Sequence, residues 1–520
     1  MKPKRYLIMP SDGIRLGDAA AGVSDAARAT LRAFTERRSL ASLSRRTESF
    51  VSGVVRAGRR NTGGTAAAPA FKVVASLGED SVKLVEGSPA MMAALRQQNP
   101  GVRVVEENFC RPALAPRVKV PPRPAAPAGA AHVTAGTLLT VEVVRAGTGA
   151  PVSGADVIVF RTRTDALQKK TNAAGQAKFS FNGPTASLSR LFVYHEEPGL
   201  WGFFKANVTA AGGNAKVKLA ALDLSAVDSL RHFHATGQLA DGAGVKVGVI
   251  DSGADTSHPD LVIAGGANCV PASTRPAGDF GPSGPHGTHV AGTIAARGSA
   301  PTGVRGMAPG ATLMIYRVFE DGNENSGSSF AVIDAIERAI AEQCDIVNLS
   351  LTFEVTDEGV AVALAKARNH GILAVAAAGN DARQPVGFPG SDSNCVAVSA
   401  AGRNGLFPVT ATETSDVAAP FGLDPKNFIG AFSNAGADLD YTGAGVGVVS
   451  SVPGGYAPMS GTSMASPAIA GVAARLLAGN PTILAMPRNA ARTDAMRAML
   501  TAAAISLGFT NLFQGAGLSR

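Results

Sequence analysis

Ser463 stands in the run Ser-Gly-Thr-Ser-Met-Ala-Ser-Pro, residues 460–467, just after a Gly-Thr turn and at the head of a small-residue stretch, residues 464–477. That stretch reads as a tightly packed buried helix. A serine at a helix N-terminus lies beside unpaired backbone N–H groups and the positive end of the helix dipole. Such groups stabilise negative charge that develops near its oxygen, which suits a nucleophile. Capping the helix is the plainer role open to the same serine. A nucleophilic serine needs a base and a group that orients the base. Residues 245–251, Val-Lys-Val-Gly-Val-Ile-Asp, read as a buried strand ending in Asp251 at a Ser-Gly turn. A carboxylate at the C-terminal end of a parallel strand is well placed for a site, although an aspartate in a turn is common. Residues 286–292, His-Gly-Thr-His-Val-Ala-Gly, put His286 and His289 on the start of an internal helix. Their spacing also suits two metal ligands on one helical face. No third His, Cys or Glu stands at a supporting spacing.

The chain order Asp251, His286, Ser463, carried in Val-Ile-Asp-Ser-Gly, His-Gly-Thr-His-Val-Ala-Gly and Gly-Thr-Ser-Met-Ala-Ser-Pro, resembles that of the subtilisin-like serine proteases. A fourth motif, Ala-Ala-Ala-Gly-Asn-Asp at residues 376–381, puts Asn380 where that family keeps its oxyanion-hole asparagine. The resemblance covers residues 221–520. It implies an α/β fold, a doubly wound and mainly parallel sheet with helices on both faces. It also implies a serine endopeptidase that works through an acyl-enzyme. Ser463 would be the nucleophile, His286 the general base and acid, and Asp251 the group that fixes the imidazole tautomer. Asn380 and the Ser463 N–H would hold the oxyanion, with Thr462 assisting.

The same resemblance locates a substrate cleft. Residues 345–351, Asp-Ile-Val-Asn-Leu-Ser-Leu, match the strand leading into the substrate-backbone ladder, so Ser350, Leu351, Thr352 and Gly379 are candidate substrate contacts. The family usually continues with a small pair such as Gly-Gly, whereas Thr352 and Phe353 stand here. Gly387 matches the glycine at the base of the primary specificity pocket and would leave room for a bulky or aromatic side chain. Asp260, in His-Pro-Asp-Leu, matches a calcium ligand of many subtilases. The loop 297–305 lacks the asparagine-rich stretch that supplies the other oxygens, and calcium needs six to eight. No cofactor is required, and calcium at Asp260 is a structural ion at most.

The 520 residues leave room for several domains. No apolar run approaches the length of a membrane span. Cys110, Cys269, Cys344 and Cys395 are scattered without a CxxC motif, which favours free buried thiols over zinc or a disulfide framework. Residues 221–520 carry 17 basic and 25 acidic residues, and residues 1–220 carry 31 and 15. A basic part with few aromatics and no nucleic-acid motif, joined to an acidic part, reads as complementarity within the chain. No nucleic-acid or membrane partner is expected, and a monomer is.

Within residues 1–112 the strands and helices expected at 5–10, 19–34, 71–77, 81–86, 88–98 and 102–106 follow the order βαββαβ, a ferredoxin-like split fold. This resembles a subtilase propeptide, an intramolecular inhibitor whose C-terminal segment lies in the cleft, with a basic insert at about 37–69. Residues 113–132 form a Pro/Ala-rich linker. Residues 133–220 hold five or more short alternating strands, which indicates a small β-sandwich accessory domain. The propeptide junction falls near 110–133 or near 222–242. The apolar run after Lys2, Lys4 and Arg5 is shorter than a secretory h-region, so a cytoplasmic protein is expected, with export by another route as the alternative. The expected function is an autoprocessed endopeptidase acting on proteins or peptides. A catalytically silent protein-binding module is the alternative, and Thr352-Phe353 is the feature that favours it.

Overall fold

The computed structural model describes residues 4–10, 71–78, 81–98, 101–120, 137–181, 184–235, 237–323 and 326–520. The expected helix at 19–34, the basic insert at 37–69 and most of the Pro/Ala-rich run fall outside the described residues.

β1 (Lys4–Pro10), β2 (Lys72–Ser76), β3 (Lys83–Gly87) and β4 (Val102–Glu106) form an antiparallel sheet in the order β2-β3-β1-β4, with α1 (Pro89–Gln98) joining β3 to β4. Strand side chains alternate between faces, and both faces of this sheet are apolar. Tyr6, Ile8, Val85 and Val104 pack on Met92 and Leu95 of α1. Leu7, Met9 and Leu84 join a cluster that contains Phe330, Ile333 and Val360, far along the chain. The sheet is therefore built to sit on something, and it sits on the large C-terminal unit. From β4 the chain continues directly into β5 (Phe109–Pro112).

Next come β6 (Thr137–Arg145), β7 (Asp156–Phe160), β8 (Ala166–Lys170), β9 (Gln176–Phe181), β10 (Ser187–Tyr194), β11 (Phe203–Thr209) and β12 (Asn214–Leu219). They make two sheets, β11-β10-β7-β8 and β12-β6-β9, which share a core of residues such as Val141, Val157, Phe179, Leu191 and Val217. Trp201 is only 6% exposed and is buried in the core of the C-terminal unit rather than in its own. The Gly199 N–H donates to the Tyr456 carbonyl at 2.8 Å, and the Phe204 N–H donates to the Thr410 carbonyl at 2.7 Å. A buried tryptophan and paired backbone hold the two-sheet unit in a fixed place.

The C-terminal unit opens with α2 (Ser229–His234) and is organised by β13 (Lys246–Asp251), β14 (Ile263–Asn268), α3 (His286–Ala295), β15 (Thr312–Arg317), β16 (Gly327–Ser328), α4 (Ser329–Ala341), β17 (Ile346–Leu349), β18 (Leu351–Phe353), α5 (Glu358–Asn369), β19 (Leu373–Ala377), β20 (Cys395–Arg403), β21 (Asn427–Ile429), β22 (Tyr441–Ala444), β23 (Val448–Val452), β24 (Gly455–Met459) and α6 (Thr462–Ala478). Seven of these strands run parallel in the order β14-β15-β13-β17-β19-β20-β22. Val247 and Val249 of β13 face one helical layer with Val290 of α3 and Ala465 of α6. Ile250 faces the other, with Phe330 of α4 and Val360 of α5. Strands buried on both faces read as the near-continuous apolar runs seen here. The chain leaves β13 toward β15 on one side and β17 on the other, so the C-terminal end of β13 lies at the point where the strand order reverses, the usual place for a site.

Candidate active site

The first side chain at that reversal is Asp251, the last residue of β13, fully buried. His286, the first residue of α3, places Nδ1 2.7 Å from Asp251 Oδ1. The Ser252 N–H donates to the same oxygen at 2.7 Å. His286 Nε2 is buried and has no hydrogen-bond partner among the described residues. His289 faces away: its Nε2 meets the Val448 carbonyl at 3.0 Å, and burial pushes its pKa down to about 3. The His286/His289 pair is thus one site residue and one core residue, which removes the metal reading.

Ser463 lies in the first turn of α6, after Gly461 and Thr462. Pro467, four residues on, has no N–H to give the Ser463 carbonyl its helical hydrogen bond. The Ser350 hydroxyl takes that place at 2.8 Å, and is itself met by the Asn348 side-chain amide at 2.8 Å. The proline therefore opens a position through which β17 and its following turn lock the start of α6. Ser463 Oγ points to Met464 Sδ at 3.4 Å, leaving both it and His286 Nε2 unused by each other. Such contacts often tighten only during reaction.

The chain itself occupies the cleft. β5 runs antiparallel between β16 and β18, with Cys110 opposite both Gly327 and Phe353, Arg111 opposite Thr352, and Pro112 opposite Leu351. The Ala113 N–H donates to the Ser350 carbonyl at 3.0 Å. The Ala113 carbonyl receives the Ser463 N–H at 3.0 Å and also the Asn380 side-chain amide. Beyond it, the Ala115 N–H donates to the Ser460 carbonyl at 2.8 Å. A Cβ on Gly461 would come 2.5 Å from the Ala113 oxygen, so only glycine lets the chain lie this close.

Among the described residues, Thr462 makes no hydrogen bond to the Ala113 oxygen. Its N–H donates to Asn380 Oδ1 at 3.0 Å, and its hydroxyl accepts from the Gly379 N–H at 3.1 Å. It sets the orientation of Asn380 from behind. Gly379 is used the same way, with its carbonyl accepting from the Asn434 N–H, and offers nothing to the cleft chain. Gly387 lies beside Thr352, where an added Cβ would rest in ordinary contact 3.5 Å from the Thr352 methyl group and 3.7 Å from the Ala378 carbonyl oxygen. Thr352 and Phe353 replace the expected small pair without breaking the ladder, because both lie in the paired strand, and the Phe353 ring is steadied edge-on by Phe388 at 5.7 Å.

Two contacts that side-chain patterns did not single out fix β5 from its start. The Glu107 carboxylate meets the Ser328 hydroxyl ahead of α4, and burial raises its pKa. The Asn108 amide donates to Asp357, which caps α5, at 2.9 Å. The residues are polar, follow the last strand of the sheet, and stand opposite two helix N-termini, a placement visible only once the parts are docked.

Asp260 is buried, and one carboxylate oxygen accepts the Val304 N–H at 2.8 Å. Arg297 and Arg305 pair across the loop, which folds Gly298 and Gly303 tightly against the carboxylate. The Val304 N–H and the two close glycines occupy the space around the carboxylate, where calcium would need six to eight oxygens. Among the described residues no cluster of three or more His, Cys, Asp or Glu fits a metal ion, and the four cysteines are free and buried.

Residues 242–519 match the model of the Subtilase family. The chain belongs to the subtilase family. Subtilisin E of Bacillus subtilis is 39% identical over 246 residues, 46% of this chain and 57% of its own length. Subtilisin of Bacillus pumilus is 39% identical over 246 residues, covering 46% of this chain and 79% of that protein. Subtilisin Savinase of Lederbergia lenta is 37% identical over 278 residues, 53% of this chain and 89% of its own length. The chain thus spans a little over half of subtilisin E and most of the shorter subtilisins. The subtilase match begins after the two-sheet unit, so β1 to β12 stand outside it.

Proposed function

We propose that this subtilase is a serine endopeptidase made as a self-cleaving zymogen, and that the bond it cuts in itself is Ala113–Leu114. The observation that carries the reading is the Ala113 carbonyl, which accepts from both the Ser463 N–H and the Asn380 amide while β5 fills the cleft. In the reaction, Ser463 Oγ attacks the Ala113 carbonyl carbon and its proton passes to His286 Nε2. Charge moves onto the Ala113 oxygen between the two donors. Asp251 holds Nδ1–H and favours the imidazolium. The C–N bond then breaks, His286 returns the proton to the Leu114 amine, and water hydrolyses the acyl-enzyme in a second cycle that frees Ser463 and leaves an Ala113 carboxylate.

In this reading residues 1–113 form a ferredoxin-like propeptide that inhibits by occupying the cleft, and residues 133–220 form a β-sandwich that stays with the catalytic domain. Trp201 and the paired backbone of 199–204 support that retention. Other protein or peptide chains follow the same track as substrates, and neither nucleic acid nor a membrane takes part. The continuous ladder through Thr352 and Phe353 supports the enzyme reading over a silent binding module.

A serine-directed phosphonate tests the reading. The processed protein is expected to carry one label, on Ser463, and to lose peptide hydrolysis in proportion. A processed chain that stays unlabelled and inert overturns it.

The pocket beside Gly387 leads to a second expectation. In this reading Gly387 lies at the base of the pocket for the residue before the cut and, lacking a side chain, leaves that pocket able to take a bulky apolar residue, although the chain's own junction presents alanine. Gly387→Val should lower kcat/KM for a peptide with Phe at that position at least tenfold relative to one with Ala, as expected when about one to two kcal/mol of side-chain burial is lost. A peptide library in which the ratio is unchanged would remove Gly387 from the pocket.

A further inference from the structure

The outer face of the sheet β11-β10-β7-β8 breaks the pattern of a solvated sheet. Val157, Val159, Leu191 and Val193 point inward to the shared core. Their alternates, Ile158, Phe160, Phe192 and Tyr194, should face water and be polar. Instead they form a separate apolar cluster with Phe204. Phe192 and Phe204 pack with ring centroids 4.6 Å apart, and Phe192 and Tyr194 stack at 6.2 Å. An apolar face of this kind calls for an occupant.

The occupant is the chain's own segment after Ala113. Downstream of Ala113 the chain leaves the cleft and runs onto this face. Val118 and Val120 pack into the aromatic cluster. The Val118 N–H donates to the Tyr194 hydroxyl at 3.2 Å. The Arg117 guanidinium lies 5.4 Å from the Tyr194 ring centre and 3.8 Å from Asp156. Counting from the cut, these are the fourth, fifth and seventh residues on the leaving side.

We propose that the β-sandwich is a substrate-binding extension of the active site: its outer aromatic face receives the polypeptide segment that follows the scissile bond, with apolar residues at the fifth and seventh positions. This rests on the cleavage reading above. The segment 114–120 is the first polypeptide to use the face. After the cut it is a free N-terminal arm that substrate displaces. Extended chains with apolar residues downstream are thus preferred over short peptides, a selectivity held by a domain outside the subtilase match.

Two internally quenched peptides with the same residues before the cut test this on the processed full chain. One ends two residues after the cut. The other continues to the seventh, with Val at the fifth and seventh positions. The longer peptide is expected to have kcat/KM about tenfold higher, mostly through KM, because two valine side chains are partly buried and the chain's own arm must be displaced. Tyr194→Phe, which removes one hydroxyl and leaves the fold intact, should narrow the gap by a few-fold. Val118→Asp with Val120→Asp, which weakens the chain's own arm, should lower KM for the longer peptide and leave the shorter one unchanged. Equal kcat/KM for both peptides, unmoved by either variant, overturns the extension and leaves the protease standing. Failure to cleave either peptide overturns both.

Discussion

A full-length Ser463→Ala chain will remain a single uncut polypeptide, whereas the parent will separate into residues 1–113 and a fragment whose first residue is Leu114. The geometry makes both halves of this result specific. Among the described residues the Ala113 carbonyl alone meets the Ser463 N–H and the Asn380 amide together, and Ala113 and Ala115 are pinned on either side by Ser350 and Ser460. Removing Oγ leaves all of these contacts in place, so the variant should fold, dock and stall. Turnover of added peptide should fall by roughly 10⁶, the scale found when subtilisin itself loses its nucleophile. Terminal sequencing or intact mass reads the outcome. A new N-terminus near residues 222–242 would mean that the β-sandwich is discarded, and cutting in the variant would remove Ser463 from the chemistry.

The motifs that carry chemistry were legible because they are local. Gly-Thr-Ser-Met-Ala-Ser-Pro fixes a glycine for close approach, a helix start and a proline that releases one carbonyl, all within eight residues. Val-Lys-Val-Gly-Val-Ile-Asp reads as a strand buried on both faces, and β13 is one. The proposed cut position was not legible, because Ala113 is one of several alanines in a Pro/Ala-rich run. It is singled out by where β5 is held, and that depends on Glu107 and Asn108 meeting helix starts more than two hundred residues away. The same run was read as a linker, yet residues 113–120 occupy the cleft and the outer sheet face. The strand runs at residues 155–160 and 191–194 signalled alternation, but they are apolar on both faces, which is the mark of a second buried surface rather than of a solvated one.

Asn380 separates binding from chemistry. Its amide donates to the Ala113 oxygen, and its own oxygen accepts the Thr462 N–H at 3.0 Å. A donor aimed at this oxygen gains most when the oxygen becomes an anion, so its loss should appear in kcat and hardly in KM. Asn380→Ala is expected to lower kcat about 10²–10³-fold, the range measured for the corresponding donor in subtilisin itself. That substitution also strands the Thr462 N–H, so a fall could reflect a displaced helix start. Asn380→Asp resolves this. It retains an acceptor for Thr462 and keeps the side chain's shape, but gives up the donor and places negative charge beside the developing oxyanion. If the oxyanion is the point of action, Asn380→Asp should lose at least as much kcat as Asn380→Ala, with the phosphonate still labelling Ser463 slowly. Recovery of kcat in Asn380→Asp would instead assign Asn380 to positioning Thr462, with the Ser463 N–H left as the sole donor to the oxyanion.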